Sequence, residues 1–189
     1  DIKLVGFGGL TIAANGREVV ALNDGYIGPG RPAVNGLYER QENGKLKPLV
    51  SLLSSTTRVY GPKVAKSGLL YRQHISTTNG TIIQIVLKPN SGGQNIILKE
   101  GPLTEFPFPL VSPQGEVAVR FGPKVGFWNG TSLNPILDTS TFDSGYRGGG
   151  SADFLADEVV FGSARIAATI NDLFVWNVRT NKVEPVAKG

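Results

Sequence analysis

The chain has 189 residues, 40% of them apolar, which is enough for a packed core, and its 19 basic against 15 acidic side chains leave a net charge of only +4. No basic run reaches five residues, no apolar run approaches the length of a membrane-spanning helix, and cysteine and methionine are absent. These features argue against a nucleic-acid footprint and a transmembrane helix and exclude disulfides and thiolate metal sites as organising principles, while a weak attraction to acidic polymers or anionic surfaces stays open.

The 25 glycines and 12 prolines leave few windows in which a helix of ordinary length could run, so short strands are expected throughout. In chain order, "LTIA" from Leu10 and "VVAL" from Val19 flank the turn signal Asn15-Gly16, and "NGLYER" from Asn35 and "KPLV" from Lys47 flank Glu42-Asn43-Gly44-Lys45. The same order returns with "KVA" from Lys63, "LLYR" from Leu69 after Ser67-Gly68, "GTIIQIVL" from Gly80 and "NIIL" from Asn95. It returns again with "PLVS" from Pro109, "VAVR" from Val117 after Gln114-Gly115, "KVGFW" from Lys124 and "NPIL" from Asn134. A fourth pass gives "ADFL" from Ala152, "VVFG" from Val159 behind a less distinct turn at Asp157, "NDLFVWN" from Asn171 and "EPVA" from Glu184.

Two independent anchors, the second and the last strand of each unit, thus recur four times at a spacing of about 47 residues, and Gly and Asn at the tight turns tolerate the positive φ that hairpins require. Each unit reads as four strands, a to d, with a tight a–b turn, a longer loop from b to c and a polar c–d turn. Pro48, Pro135 and Pro185 take one place in strand d, where a missing amide donor is tolerable at a free edge. Tyr38, Trp128 and Trp176 recur in strand c, and repetition at one place predicts packing between units over ligand stacking.

Sixteen short strands in consecutive antiparallel order predict an all-β, β-propeller-like fold of four four-stranded blades, with approximate limits 1–52, 53–101, 102–140 and 141–189 in a single domain. The pattern "strand, small-residue turn, V-V-A-F-like strand, loop, G-L-F-V-W-N-like strand, polar turn, L-x-P-V-like strand" resembles bacterial extracellular β-propeller-like repeat proteins. These include proteins of cyanobacteria and planctomycete-like organisms that often carry a C-terminal sorting anchor. The chain departs from that family where the acidic "EGD"-like continuation is reduced to Lys99-Glu100-Gly101 and Lys188-Gly189, and no anchor segment is expected within these residues. The resemblance implies a secreted or cell-surface location and no particular activity.

Numbering from Asp1 predicts a processed or excised chain. Because the pattern starts before strand a and stops after strand d, three arrangements stand open: a compact four-bladed ring, a partial array completed by another copy, and a piece of a larger ring. The four-bladed ring is the favoured one.

Chemistry is sparse. His74, the single histidine, falls in the polar stretch "QHISTTNGT" and reads as a surface-loop residue, with no nucleophile-elbow motif to support a triad. Asp138, Asp143, Asp153 and Asp157 form the densest acidic group but lack metal-ligand spacing, so no metal and no cofactor are expected. "YGPKVA" at Tyr60 and "FGPKVG" at Phe121 lack the phosphate-loop pattern and read as turns. The Asn79-Gly80-Thr81 and Asn129-Gly130-Thr131 acceptor patterns likewise read as turns, and Gly148-Gly149-Gly150 as a connector.

The expected function is a non-catalytic extracellular interaction module that binds a protein partner or a glycan through blade-end loops, with no nucleic acid involved and with oligomerisation open. Candidate contacts are Arg72 and Arg120, at the end of strand b, and Tyr26, Arg31, Tyr146 and Arg147 in Gly-rich loops. Two other readings stand beside it: a hydrolase or lyase using a central channel, and a structural subunit of a surface assembly.

Overall fold

A computed structural model describes residues 6–12, 16–23, 35–52, 54, 56–105, 107–122, 124–138, 152–155, 158–164, 171–177, 180 and 182–187. The fold is all-β and β-propeller-like, with four antiparallel four-stranded sheets, each a simple meander. The first holds β1 (Gly6–Ile12), β2 (Glu18–Asn23), β3 (Asn35–Arg40) and β4 (Leu46–Leu52). The second holds β5 (Thr57–Val64), β6 (Gly68–Thr77), β7 (Gly80–Pro89) and β8 (Ile96–Pro102). A short 3-10 turn at Leu103–Glu105 precedes the third, formed by β9 (Phe108–Val111), β10 (Val117–Phe121), β11 (Lys124–Trp128) and β12 (Leu133–Asp138). β13 (Ala152–Leu155), β14 (Glu158–Ala164), β15 (Asn171–Asn177) and β16 (Lys182–Ala187) form the fourth.

The chain divides into two compact units, Asp1–Val64 with Gly68–Pro102 and Ala65–Ser67 with Leu103–Gly189. In the first unit the core is built from Val19, Ala21, Leu37, Val50, Val59, Leu69, Tyr71 and Val86. Ala21, Leu37 and Val50 stand opposite one another across β2, β3 and β4, so period-2 alternation delivers three strands' apolar side chains to one face. Two asparagines fasten the first sheet to the start of β5. Asn23 donates to Val59 O (2.6 Å) and accepts from Val59 N–H (2.8 Å), while Asn35 donates to Ser54 O (2.8 Å) and Thr57 O (2.6 Å). Each amide satisfies backbone groups that water cannot easily reach, since Asn23 is 7% and Asn35 2% exposed.

In the second unit Trp176 of β15 is fully buried against Leu110, Ala118 and Val125, with Phe108, Phe127, Phe174 and Val183 around it. The Trp176 and Phe127 rings meet edge-on at 6.1 Å, a favourable aromatic geometry. Trp176 is therefore a packing residue, as its repetition predicts.

The prolines mark a repeated bulge. Pro48 faces Tyr38 and the next pair is Val50 with Leu37, so Leu49 is an extra residue in β4. Pro135 faces Gly126 with Ile136 extra, and Pro185 faces Phe174 with Val186 extra. In β8 the equivalent residue is Ile97, opposite Val86 with Leu98 extra, one position beyond the Ile96 that sequence alignment puts there. All four d strands lie at a sheet edge, where a bulge and a missing amide donor are tolerated.

Three other sequence expectations change. Trp128 and Trp176 do share one position, facing Leu133 and Val183, but its counterpart in β3 is Arg40, facing Leu46; Tyr38 sits two residues earlier. The b–c connection is not uniformly long: Thr77 pairs with Gly80 and Phe121 with Lys124, so in the second and third sheets it is a two-residue link. Finally, Tyr60-Gly61-Pro62-Lys63 is not a turn before a strand but a bulge within β5, where the pairing passes from Tyr60–Arg72 to Lys63–Leu70.

Candidate functional site

A polar and aromatic constellation lies on β5 and β6. Arg58 pairs with His74 and Tyr60 with Arg72, which puts all four side chains on one face of the second sheet. Across β7 the same face continues with Ile83 and Ile85, both fully buried, and in β8 with Lys99 and Gly101. The alternation Arg-x-Tyr in one strand and Arg-x-His in the next creates the cluster, because period 2 turns every second residue to the same side.

The geometry is close. The Tyr60 and His74 rings lie 4.5 Å apart between centroids at 49°, and the Arg72 guanidinium carbon stands 5.7 Å from the Tyr60 centroid, a cation–π distance. Arg58 is exposed, whereas Tyr60, Arg72 and His74 are half-buried. His74 Nε2 is buried with no hydrogen-bond partner among the described residues.

Burial, reinforced by the positive charges of Arg72 and Arg58, pushes the His74 imidazole down to about 4, so it is neutral at pH 7. Burial also lowers the Arg72 guanidinium from its ordinary value, with Tyr60 opposing the shift. The patch thus combines two cations, a neutral imidazole and a phenol.

The opposite face of the same sheet carries a different row. Gln73 donates to Gln84 Oε1 at 2.9 Å, and Gln84 in turn donates to the Glu100 carboxylate. That carboxylate is thereby held on the far side from the basic cluster. Nearer the core, Asn95 donates to the Tyr71 hydroxyl at 3.2 Å, and burial drives the Tyr71 phenol up to about 12.

Arg72 and Arg120 do occupy one register position, facing Tyr60 and Ile85 in one sheet and Phe108 and Val125 in the other. Only Arg120 is near a strand end, because β6 runs on to Thr77. Arg120 is 3% exposed and its guanidinium is lowered to about 10 by burial, which makes it part of the packed interior and not a loop contact. His74 is likewise not in a surface loop but in the middle of the β6–β7 pairing, opposite Ile83. Tyr26, Arg31, Tyr146 and Arg147 lie outside the described residues, as do Asp143, Asp157 and Gly148–Gly150.

Arg58 and Tyr60 escape motif reading because the β5 bulge breaks the simple count between the two strands. The alternating pairs on either side of the Ser67-Gly68 turn are the signal that could have found them. Asp138 of the acidic group pairs with Lys124 at 3.6 Å, and among the described residues no three His, Cys, Asp or Glu side chains gather to hold a metal. Asn129 and Asn177 each close an Asx turn, Asn129 accepting from Thr131 N–H at 2.9 Å and Asn177 from Thr180 N–H at 2.9 Å. Among the described residues no helix is long and apolar enough to cross a membrane.

No family model and no curated protein matches the chain. Among solved structures it is similar to a chain from a structural and mechanistic analysis of two prolyl endopeptidases that concerns inter-domain dynamics in catalysis and specificity. The TM-score is 0.64 at 14% identity, over 97% of this chain and 29% of that one. At that identity the likeness concerns the fold, and this chain spans less than a third of the neighbour's length.

Proposed function

We propose that this chain is a non-catalytic β-propeller binding module that works outside the cell or at its surface and takes its ligand at the basic and aromatic cluster on one face of the second sheet. The observation that carries the reading is the Arg58, Tyr60, Arg72 and His74 constellation, in which half-buried polar side chains are collected on one sheet face beside an exposed arginine. His74 Nε2, buried and without a hydrogen-bond partner among the described residues, is costly to hold away from water, and a ligand group that pairs with it recovers that cost. The extracellular location rests on the resemblance of the four-strand repeat to surface repeat proteins.

In the same reading the four sheets are the blades of a closed four-bladed ring. The consecutive meander within every sheet and the repeated edge bulge support it, since radially packed blades need one protected outer strand each. Native mass spectrometry checks closure by one chain, for which a monomer is the expected species. A glycan array read in parallel with an affinity pull-down tests the module itself. Specific binding by either route that weakens in Arg72→Gln is the expected result, and binding indifferent to Arg72→Gln and Arg58→Gln would move the site elsewhere.

A further inference from the structure

Two cavities open at one end of the first unit, and Arg17 lines both. The smaller, of about 150 Å³, lies between the first and second sheets, with Leu49 and Leu69 as its apolar wall and Lys88 and Asn90 as its polar side. It has room for a group of about six carbon atoms. Leu49 reaches it through the β4 bulge: it is the extra residue between Pro48 and Val50, and it packs against the core of the unit. Leu69 and Lys88 are cross-strand partners, and alternation places both on the face of Tyr71 and Val86 that meets the same core. Arg72 is on the opposite face of β6, so this surface is separate from the cluster described above.

Charge differs between the two ends of this surface. Arg17 is neutralised by its ion pair with Glu39, and Arg40 by Glu18 at 3.1 Å. The Lys88 ammonium is half-buried and has no ion-pair partner among the described residues, and no carboxylate among them lines the smaller cavity. Lys47, across from Glu39, adds positive charge to the same row. The larger cavity, of about 650 Å³, opens at the β3–β4 turn, where Arg40, Gln41, Glu42 and Asn43 line it. Glu42 is exposed there and likewise has no ion-pair partner among the described residues. Leu49 stands three residues from Leu46, the first residue of β4 after that turn. The unpaired cation and the unpaired anion are thus separated by roughly 10 Å or more, the reach of three extended residues.

A cation beside an apolar wall, followed at that distance by an anion, is complementary to one end of an extended chain. We infer that this groove captures the C-terminal segment of a peptide. The terminal carboxylate is held by Lys88, an aliphatic last side chain covers Leu49 and Leu69, and a basic residue three positions upstream meets Glu42. The Gln41 amide and the Asn43 NH2 group line the stretch between, where the peptide backbone needs partners.

The full chain is titrated by calorimetry with acetyl-Lys-Ala-Ala-Leu as the free acid, with its C-terminal amide, with acetyl-Glu-Ala-Ala-Leu and with 4-methylpentanoate. The free acid is expected to bind, with the amide roughly tenfold or more weaker because the charge-assisted contact to Lys88 is lost. The Glu-bearing peptide is expected to bind roughly threefold or more weakly, an exposed ion pair being worth less. Lys88→Gln should erase the difference between acid and amide, and Glu42→Gln the difference between the Lys and Glu peptides. Both variants should keep the wild-type melting curve, since Glu42 is exposed and Lys88 stands at a cavity.

Equal affinity for acid and amide, or no binding of either, would overturn the inference on the wild-type chain alone, whatever the variants do. If 4-methylpentanoate binds as tightly as the peptide, the peptide assignment falls in favour of a small aliphatic acid. An acid–amide difference that persists in Lys88→Gln would show that Lys88 does not hold the carboxylate. None of these changes touches Arg58 or Arg72, so the module reading at their cluster stands or falls on the array and the pull-down.

Discussion

The second and third sheets contain the same Gly-Pro-Lys-Val tetrapeptide and an arginine in the same register, yet they put both to different use. Gly61 and Gly122 share a left-handed φ, +53° and +54°, but Gly61 lies in a bulge inside β5 while Gly122 sits in the link between β10 and β11. The consequence reaches the arginines. β6 continues five residues past Arg72 and carries His74 on the same face, whereas β10 ends one residue after Arg120 and places the turn glycine where the histidine would be. One sheet thus builds a polar cluster and the other closes a hairpin over a buried cation. The lesson is that a local motif dictates its own backbone torsion, while its place in the strand pairing dictates what that torsion does.

The comparison breaks most visibly at the core that closes over the third sheet. Trp176→Ala removes a fully buried ring from Leu110, Ala118 and Val125, and a loss of about 3–5 kcal/mol in unfolding free energy is expected by denaturant titration. A loss below about 1 kcal/mol would mean that Trp176 does not organise that unit. On the side of the second sheet, Asn23→Ala strands both the N–H and the C=O of Val59. About 1–3 kcal/mol should disappear, and hydrogen exchange at Val59 should quicken selectively.

The two glycines sharpen the contrast. Neither has a neighbour within 4 Å of an added Cβ, so Gly61→Ala and Gly122→Ala should each cost about 1–2 kcal/mol through the torsion alone. Unequal costs in thermal melts would show that the bulge and the hairpin tolerate strain differently.

The smallest expected effect is a pH dependence confined to the second sheet. The folded His74 pKa lies near 4, below the ordinary 6.5, so between those values the unfolded chain binds more protons. Its contribution to stability is therefore full above pH 6.5 and is lost as pH falls toward 4. The groups facing it are Arg58, Tyr60 and Arg72, with Ile83 behind. The stability difference between wild type and His74→Gln in melting curves should be constant above pH 6.5, and the wild type should lose ground relative to the variant below it.

Four units of four strands, the a-to-d order and the edge place of Pro48, Pro135 and Pro185 were legible in the residues. Alternation with period 2 and Gly or Asn turns are local signals that survive without neighbours. Register was not legible at single-residue accuracy, because the extra residues Leu49, Leu98, Ile136 and Val186 appear only when two strands are laid against each other. For the same reason Tyr38 was matched to the wrong tryptophan position and Ile97 was missed by one residue.

Of the candidate site, Arg72 was found from the repeat, while Arg58, Tyr60 and the strand position of His74 came from pairing across a bulge. Arg120 looked the equal of Arg72 in the repeat and is its equal in register, but burial separates them. The sequence by itself therefore determined the strands, their number and their edges, since these follow from side-chain periodicity and turn torsion. Only the tertiary structure decided which polar side chains meet and which are buried, because both depend on cross-strand neighbours and on the packing above each face.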